Sequence, residues 1–376
     1  MRTETPPLPD DPGNELHQVA QLLARRGQHP ALLPEAIARA ESVSALALLF
    51  ADLRSMALCG VEAGIASRTL GLLISEVNDH ILARTARIVE GGMGGPLRDF
   101  CLVALGSEGR REQFFATDQD NGLILAESDA PGGGGESAVA AFGREFIAAL
   151  TAIGFPPCEN RVMIDNPDWR KPLEQWKETV DDVVREPDGP GILVLSLLAD
   201  ARPITGNAAL CHGLAAHLRK RVADSPVTLG YMAREALRFP PPLGFFNTLA
   251  VERSGPDKGG LDIKKRGIFA LVQGLRTMAL EQRLMATGTP ERLAALADLG
   301  IFSPPLAKRL HGAYDVLQTL RLRFQAKAIL QGETPRNTIF PDNLDNLERD
   351  RLKDSLHAVI EFQELVYARY GLHLFP

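Results

Sequence analysis

Phe100-Cys101-Leu102-Val103-Ala104-Leu105-Gly106-Ser107-Glu108-Gly109-Arg110-Arg111 and, shortly after it, Asp118-Gln119-Asp120-Asn121-Gly122-Leu123-Ile124-Leu125-Ala126 decide how this chain of 376 residues is read. Each contains a short apolar run of strand length, 100–105 in the first and 122–126 in the second. Runs of that length bounded by glycine and polar residues suit buried strands. Between the runs stand Gly106-Ser107 at the end of the first and an Asp-x-Asp pair at the start of the second.

Each motif has a chemical reading and a plain one. A strand that ends in Gly106-Ser107 and turns toward a helix can offer backbone N–H groups and a hydroxyl at close range to an anion, where a larger residue than glycine would obstruct the approach. Arg110 and Arg111 follow and are placed to add positive charge. In an extended segment residues i and i+2 share a face, so Asp118 and Asp120 can meet one divalent cation or a pair. Oxygen ligands suit Mg²⁺, which is commonly held by one or two carboxylates together with substrate phosphates. The competing reading is a solvated turn, in which aspartates bond to local backbone. The two motifs together, between two strand-like runs, favour the chemical reading.

Outward from this centre the texture is helical. Residues 16–90 carry Ala and Leu at three- and four-residue steps, as in Leu46, Leu49, Phe50 and Leu53, and predict a helical lead-in. Gly91-Gly92-Met93-Gly94-Gly95-Pro96 ends it. After the second motif, Pro131 to Gly135 reads as a loop, Ala138 to Ile153 as an amphipathic helix and Arg161-Val162-Met163-Ile164 as a third strand. The helical period returns from Leu210. Leu306, Leu310, Ala313, Leu317, Leu320 and Phe324 mark one helix face, and Leu352, Leu356, Val359, Val366 and Tyr370 another. Three segments are expected: a helical N-terminal region over 1–95, a small mixed sheet with helices over 96–208, and a helical bundle over 209–376. The class is α+β and helix-rich.

Composition narrows the function. A formal net charge of −6 gives no basic field for long nucleic acid. The apolar stretches, such as 191–199, fall short of the roughly 20 residues that cross a bilayer, and the polar, proline-rich start lacks the apolar core of a secretory signal. A cytoplasmic protein without membrane attachment is expected. Cys59, Cys101, Cys158 and Cys211 are scattered, which argues against a disulfide framework and against a zinc site. The eight histidines show no metal-ligand spacing. Gln325 and Gln363, near apolar helix faces, read as satisfied core polar groups.

The stretch from Ala104 to Gln113, with Ala116-Thr117-Asp118-Gln119-Asp120-Asn121, resembles a bacterial family of nucleotidyltransferases related to the N-terminal part of PII-protein uridylyltransferase. Asn166-Pro167-Asp168-Trp169, Asp200-Ala201-Arg202-Pro203-Ile204-Thr205-Gly206, Pro242-Leu243-Gly244-Phe245-Phe246 and Asp262-Ile263-Lys264-Lys265-Arg266-Gly267-Ile268 extend the resemblance over most of the chain. It implies a nucleotidyltransferase fold of the polymerase-beta-like kind and a helical substrate-binding domain in the last third. It also implies Asp118 and Asp120 as catalytic metal ligands for Mg²⁺ or Mn²⁺, and Gly106 and Ser107 as the phosphate cradle for UTP or ATP. The acceptor would be a protein or small-molecule hydroxyl; neither it nor the oligomeric state is fixed by the resemblance. Many relatives carry a sensor module ahead of the transferase, and none is expected before this helical lead-in. A third carboxylate is usual in the superfamily, and Asp200 or Asp165 could supply it, or either could cap a turn or helix. Lys264, in the densest basic cluster of the C-terminal half, is either a solvated helix start or a phosphate or acceptor contact across an interdomain cleft. The alternative to an enzyme is a catalytically idle nucleotide-binding module acting through partner contact.

Overall fold

A computed structural model describes residues 32–374 apart from 95–96, 98, 117, 127–134 and 245–247. The start of the expected lead-in, most of the expected loop at 131–135, and Phe245 and Phe246 lie outside the described residues. Three helices come first, α1 (Leu33–Arg39), α2 (Val43–Glu62) and α3 (Ser67–Gly92). Strand β1 (Phe100–Ala104), the short helix α4 (Gly106–Gly109), β2 (Asn121–Leu125) and α5 (Gly135–Ile153) follow. Then come β3 (Arg170–Pro172), α6 (Leu173–Arg185), α7 (Gly189–Leu198), β4 (Arg202–Gly206), α8 (Ala208–Ala223) and α9 (Pro226–Glu235). The C-terminal part comprises β5 (Leu261–Asp262), α10 (Phe269–Glu281), α11 (Thr289–Asp298), α12 (Pro304–Leu330), β6 (Thr338–Ile339) and α13 (Asn346–Arg369). The fold is α+β and helix-rich.

The main sheet runs β3-β2-β1-β4 and is mixed, with β1 antiparallel to β2 and β4, and β3 parallel to β2. Every residue of β1 and β2 is buried, which is why both read as unbroken apolar runs rather than alternating ones. The third strand is not where the sequence places it. Residues 161–164 run beside β2 without joining the ladder: the Asn121 N–H donates to Val162 O at 3.0 Å, and the Asn121 side-chain oxygen accepts from the Ile164 N–H at 3.0 Å. An asparagine side chain has taken the place of the next backbone partner. The strand position falls to Arg170–Pro172, fixed by Trp176, which is fully buried and donates its indole N–H to Leu123 O at 3.1 Å. Strand β4 was not anticipated at all, its burial being intermediate along its length.

Two hydrophobic cores result. The first joins α1 to α3, the sheet and α5 to α9, from Leu33 to Met232. The second joins α9 to α13, from Ala233 to Leu372. Leu280, Leu322 and Ala326 of the C-terminal helices pack into the first core, so the two are sewn together. The faces expected of α12 and α13 are buried, Phe324 and Tyr370 only partly. Helix α2 is long and apolar enough by composition to cross a membrane, yet Leu46, Phe50, Leu53, Met56 and Ala57 on it are buried in the first core.

Candidate active site

Antiparallel pairing of β1 with β2 brings the two motifs together. Ala104 faces Asn121, and the pairing continues one step past the strands, with the Leu105 N–H donating to Asp120 O at 2.9 Å. The chain then turns at Gly106, whose φ is +52°, into α4. A Cβ at Gly106 would stand 2.7 Å from Asp120 Oδ2, so only glycine lets this turn and this carboxylate share the space. At the first turn of α4 the N–H groups of Gly106 and Ser107 have no acceptor within the helix.

Asp118 and Asp120 share a face and Gln119 takes the other, donating to Phe155 O at 2.9 Å. Asp118 Oδ, Asp120 Oδ and Cys158 Sγ all lie within 4.8 Å of one another. Burial, and then the neighbouring Asp118, push the Asp120 carboxyl up to about 7, against the opposing pull of Cys158, Lys264 and Arg110. The donor set fits a divalent cation: two carboxylates carry a repulsion that a cation between them would reverse. Lys264 is in their field. Burial and Arg321 lower its ammonium below the usual lysine range, and Asp118 and Asp120 hold it up. It begins a π-helical turn, Lys264–Ile268, a distortion often found at functional sites. Lys265 instead lies 4.7 Å over the Phe239 ring. Of the basic cluster, one member faces the aspartates.

The structure gives four other expected site residues partners away from the Asp118-Asp120 pair. Asp200 is completely buried and its carboxylate is caged by three guanidiniums: Arg110 at 2.5 Å, Arg276 at 2.6 Å and Arg292 at 2.8 Å. Burial alone would raise it, but the arginines hold it well below the usual carboxylate range. Both of its oxygens are engaged by guanidiniums, and it stands outside the Asp118-Asp120-Cys158 group. Arg110, expected to grip phosphate, spends its guanidinium on Asp200 and on Glu112 at 2.6 Å, and reaches Asp120 only through its field. Arg111, with φ of +59°, turns to Asp79 on α3 at 3.6 Å. Asp165 pairs with Arg161 at 3.4 Å and is outside the Asp118-Asp120-Cys158 group.

Two residues were missed. Glu108, on α4, is buried, and burial together with Asp79, Asp120 and Asp118 keeps its carboxyl protonated well above the usual range. Cys158 has no second cysteine or histidine near it in the sequence to mark it; its partners are the two aspartates. Burial and Asp120, to which the thiol donates, push it up to about 12.

The C-terminal helices hold the loop between the motifs. Gln325 Oε1 accepts from the Phe115 and Ala116 N–H groups at 3.1 and 3.0 Å, as its expected role of satisfied core amide requires. Glu112 accepts from the Thr289 N–H at 2.6 Å. From the sheet side, Arg202 binds Asp79 through two 2.7 Å bonds and caps the Glu108 and Gly109 carbonyls at 3.2 Å. Gln363 also has partners, donating to Ala236 O at 2.8 Å.

Residues 51–190 match a family model described as "Putative nucleotidyltransferase DUF294", and residues 226–370 match its companion, "Putative nucleotidyltransferase substrate binding domain". Between them they span most of the chain. No curated protein matches it.

Proposed function

The chain belongs to this DUF294 nucleotidyltransferase family, and from that premise we propose that it moves a nucleotidyl group from UTP or ATP to a hydroxyl of a protein or small-molecule acceptor, with release of pyrophosphate. The observation that carries the reading is the fit of Gly106 against Asp120, which joins a turn able to bind phosphate to a carboxylate pair able to hold a cation.

Asp118 and Asp120 would hold Mg²⁺ or Mn²⁺, which when bound supplies charge neutralisation at the reacting phosphate oxygens. Gly106 and Ser107 present the free N–H groups of a helix start to the triphosphate. Lys264 adds a positive charge from the C-terminal side, suited to a phosphate oxygen. The acceptor oxygen bonds to the α-phosphorus and gives up its hydroxyl proton to solvent as the bond from that phosphorus to the pyrophosphate oxygen breaks; positioning and electrostatic stabilisation do the catalytic work.

The test is incubation of the purified chain with Mg²⁺ or Mn²⁺ and each α-labelled nucleoside triphosphate, alone and with cell lysate, beside an Asp118→Ala, Asp120→Ala double variant. Transfer of label by the wild type and its loss in the variant is the expected result, and it names the nucleotide. The removal of Asp200 from the metal set leaves two carboxylates among the described residues, which favours a second reading: an idle nucleotide-binding module. Nucleotide binding with no transfer under any condition would establish that one.

A further inference from the structure

We propose that Cys158 is the third protein ligand of the cation held by Asp118 and Asp120, and that the site therefore binds thiophilic divalent ions such as Co²⁺ and Zn²⁺ more tightly than the Mg²⁺ it also accepts. The inference rests on the metal reading of the two aspartates and adds a ligand to it.

The backbone builds the position. Residues 156–162 run beside the aspartates, with the Gln119 N–H donating to Pro156 O at 3.2 Å and the Asn121 N–H to Val162 O at 3.0 Å. Between these two bonds the loop bows out, closed by the Arg161 N–H donating to Cys158 O at 3.0 Å and by Arg161 at φ +54°. The bow aims the Cys158 side chain back at Asp120, and Cys158 is 4% exposed. Atoms bound to one cation lie roughly 3–4 Å apart, given metal–ligand lengths near 2.0–2.3 Å. The three donors lie within 4.8 Å of one another, so small side-chain rotations would bring them to that spacing.

Burial and Asp120 work against a thiolate at this sulfur, and two backbone donors work for it. The backbone N–H groups of Asn160 and Val162 point at it, and such bonds to a ligating sulfur stabilise its charge and fix its direction. On ligation the S–H bond breaks, its electron pair forms the sulfur–metal bond, and the proton leaves to solvent, freeing the Asp120 oxygen that had accepted it. Soft thiolate beside hard carboxylate selects against Mg²⁺, which takes oxygen almost alone.

The test is titration of the full chain with Co²⁺, following bound metal by equilibrium dialysis and the near-ultraviolet band of thiolate-to-cobalt charge transfer. The wild type should bind Co²⁺ with the band. Cys158→Ser, its fold checked by circular dichroism, should lose the band and bind Co²⁺ at least about tenfold more weakly, while Cys59→Ser keeps both. Cys158→Asp should lose the band and gain affinity for Mg²⁺. If wild-type Co²⁺ binding depends on Asp118 but shows no band, or if the band survives in Cys158→Ser, the thiol is not a ligand and the two-aspartate site stands alone. If neither Co²⁺ nor Mg²⁺ binds the wild type, the metal reading of the aspartates falls and takes this inference with it.

Discussion

At Gly106 a methyl group would displace Asp120, and the backbone sits at φ +52°, where alanine is disfavoured by roughly 1–2 kcal/mol. Gly106→Ala should therefore lower stability by about that amount while cutting nucleotidyl transfer far more, because a misplaced carboxylate is felt in positioning. A variant whose melting temperature falls slightly but whose transfer rate is unchanged would show that the contact is incidental. Asp120 gives a prediction of opposite sign. Its folded carboxyl titrates at about 7, above the ordinary unfolded value of about 3.9, so the native state binds the proton more tightly and loses stability as pH rises between those values. Without metal, Asp120→Asn should be more stable than wild type at pH 8 by roughly 2–4 kcal/mol, with the advantage gone by pH 4, as measured by denaturant unfolding at both pH values. These residues were legible in the sequence because an i, i+2 pair and a Gly-Ser turn are local patterns. Cys158 was not, since a contact made by the folding of a distant loop leaves no spacing to read.

The elements around the site divide into those that carry chemistry and those that hold them. Helix α7 ends beside Asp200, whose cage ties together the loop after α4, helix α10 and helix α11. Asp200 follows an apolar helix, and the three arginines that answer it stand far from it in sequence. Asp200→Ala strands those guanidiniums in the interior, and removing one partner of a buried pair costs about 3–5 kcal/mol. Asp118→Ala, which relieves repulsion at Asp120, should cost little or even stabilise. Chemical denaturation at pH 7 separates the roles; equal losses would contradict the assignment of Asp200 to structure. The cage also has a pH signature. Its folded pKa is depressed, so its contribution is complete above about pH 4, where an unfolded aspartate is ionised, and drains away as acidity increases. Wild type should lose stability through that acidic range more steeply than Asp200→Ala.

Across the whole molecule, the candidate site depends on contacts between the two cores. The helix-rich class and the bundle faces were readable from periodicity, because α12 and α13 bury continuous stripes. The grip of one core on the other was not, because it rests on single side chains, apolar and polar, that sequence pattern cannot assign to partners. Gln325 is the clearest: fully buried on α12, it accepts from Phe115 and Ala116 and donates to Asn337 at 3.0 Å, while Arg321 beside it reaches Asn337 at 2.7 Å. Gln325→Leu keeps the bulk, but it orphans the buried Phe115 N–H and the part-buried Ala116 N–H ahead of Asp118, a cost of about 1–3 kcal/mol for the buried group. Because Leu280, Leu322 and Ala326 still pack into the first core, the chain should fold and unfold in one transition at lower temperature. The larger consequence falls on the site: with its loop released, Asp118 is held less well, and Co²⁺ or Mg²⁺ affinity should drop although residue 325 touches no ligand. Calorimetry beside metal titration tests both halves. A split into two transitions would mean that the polar contacts, and not the shared apolar packing, join the cores; unchanged metal affinity would mean that β2 alone places the aspartates.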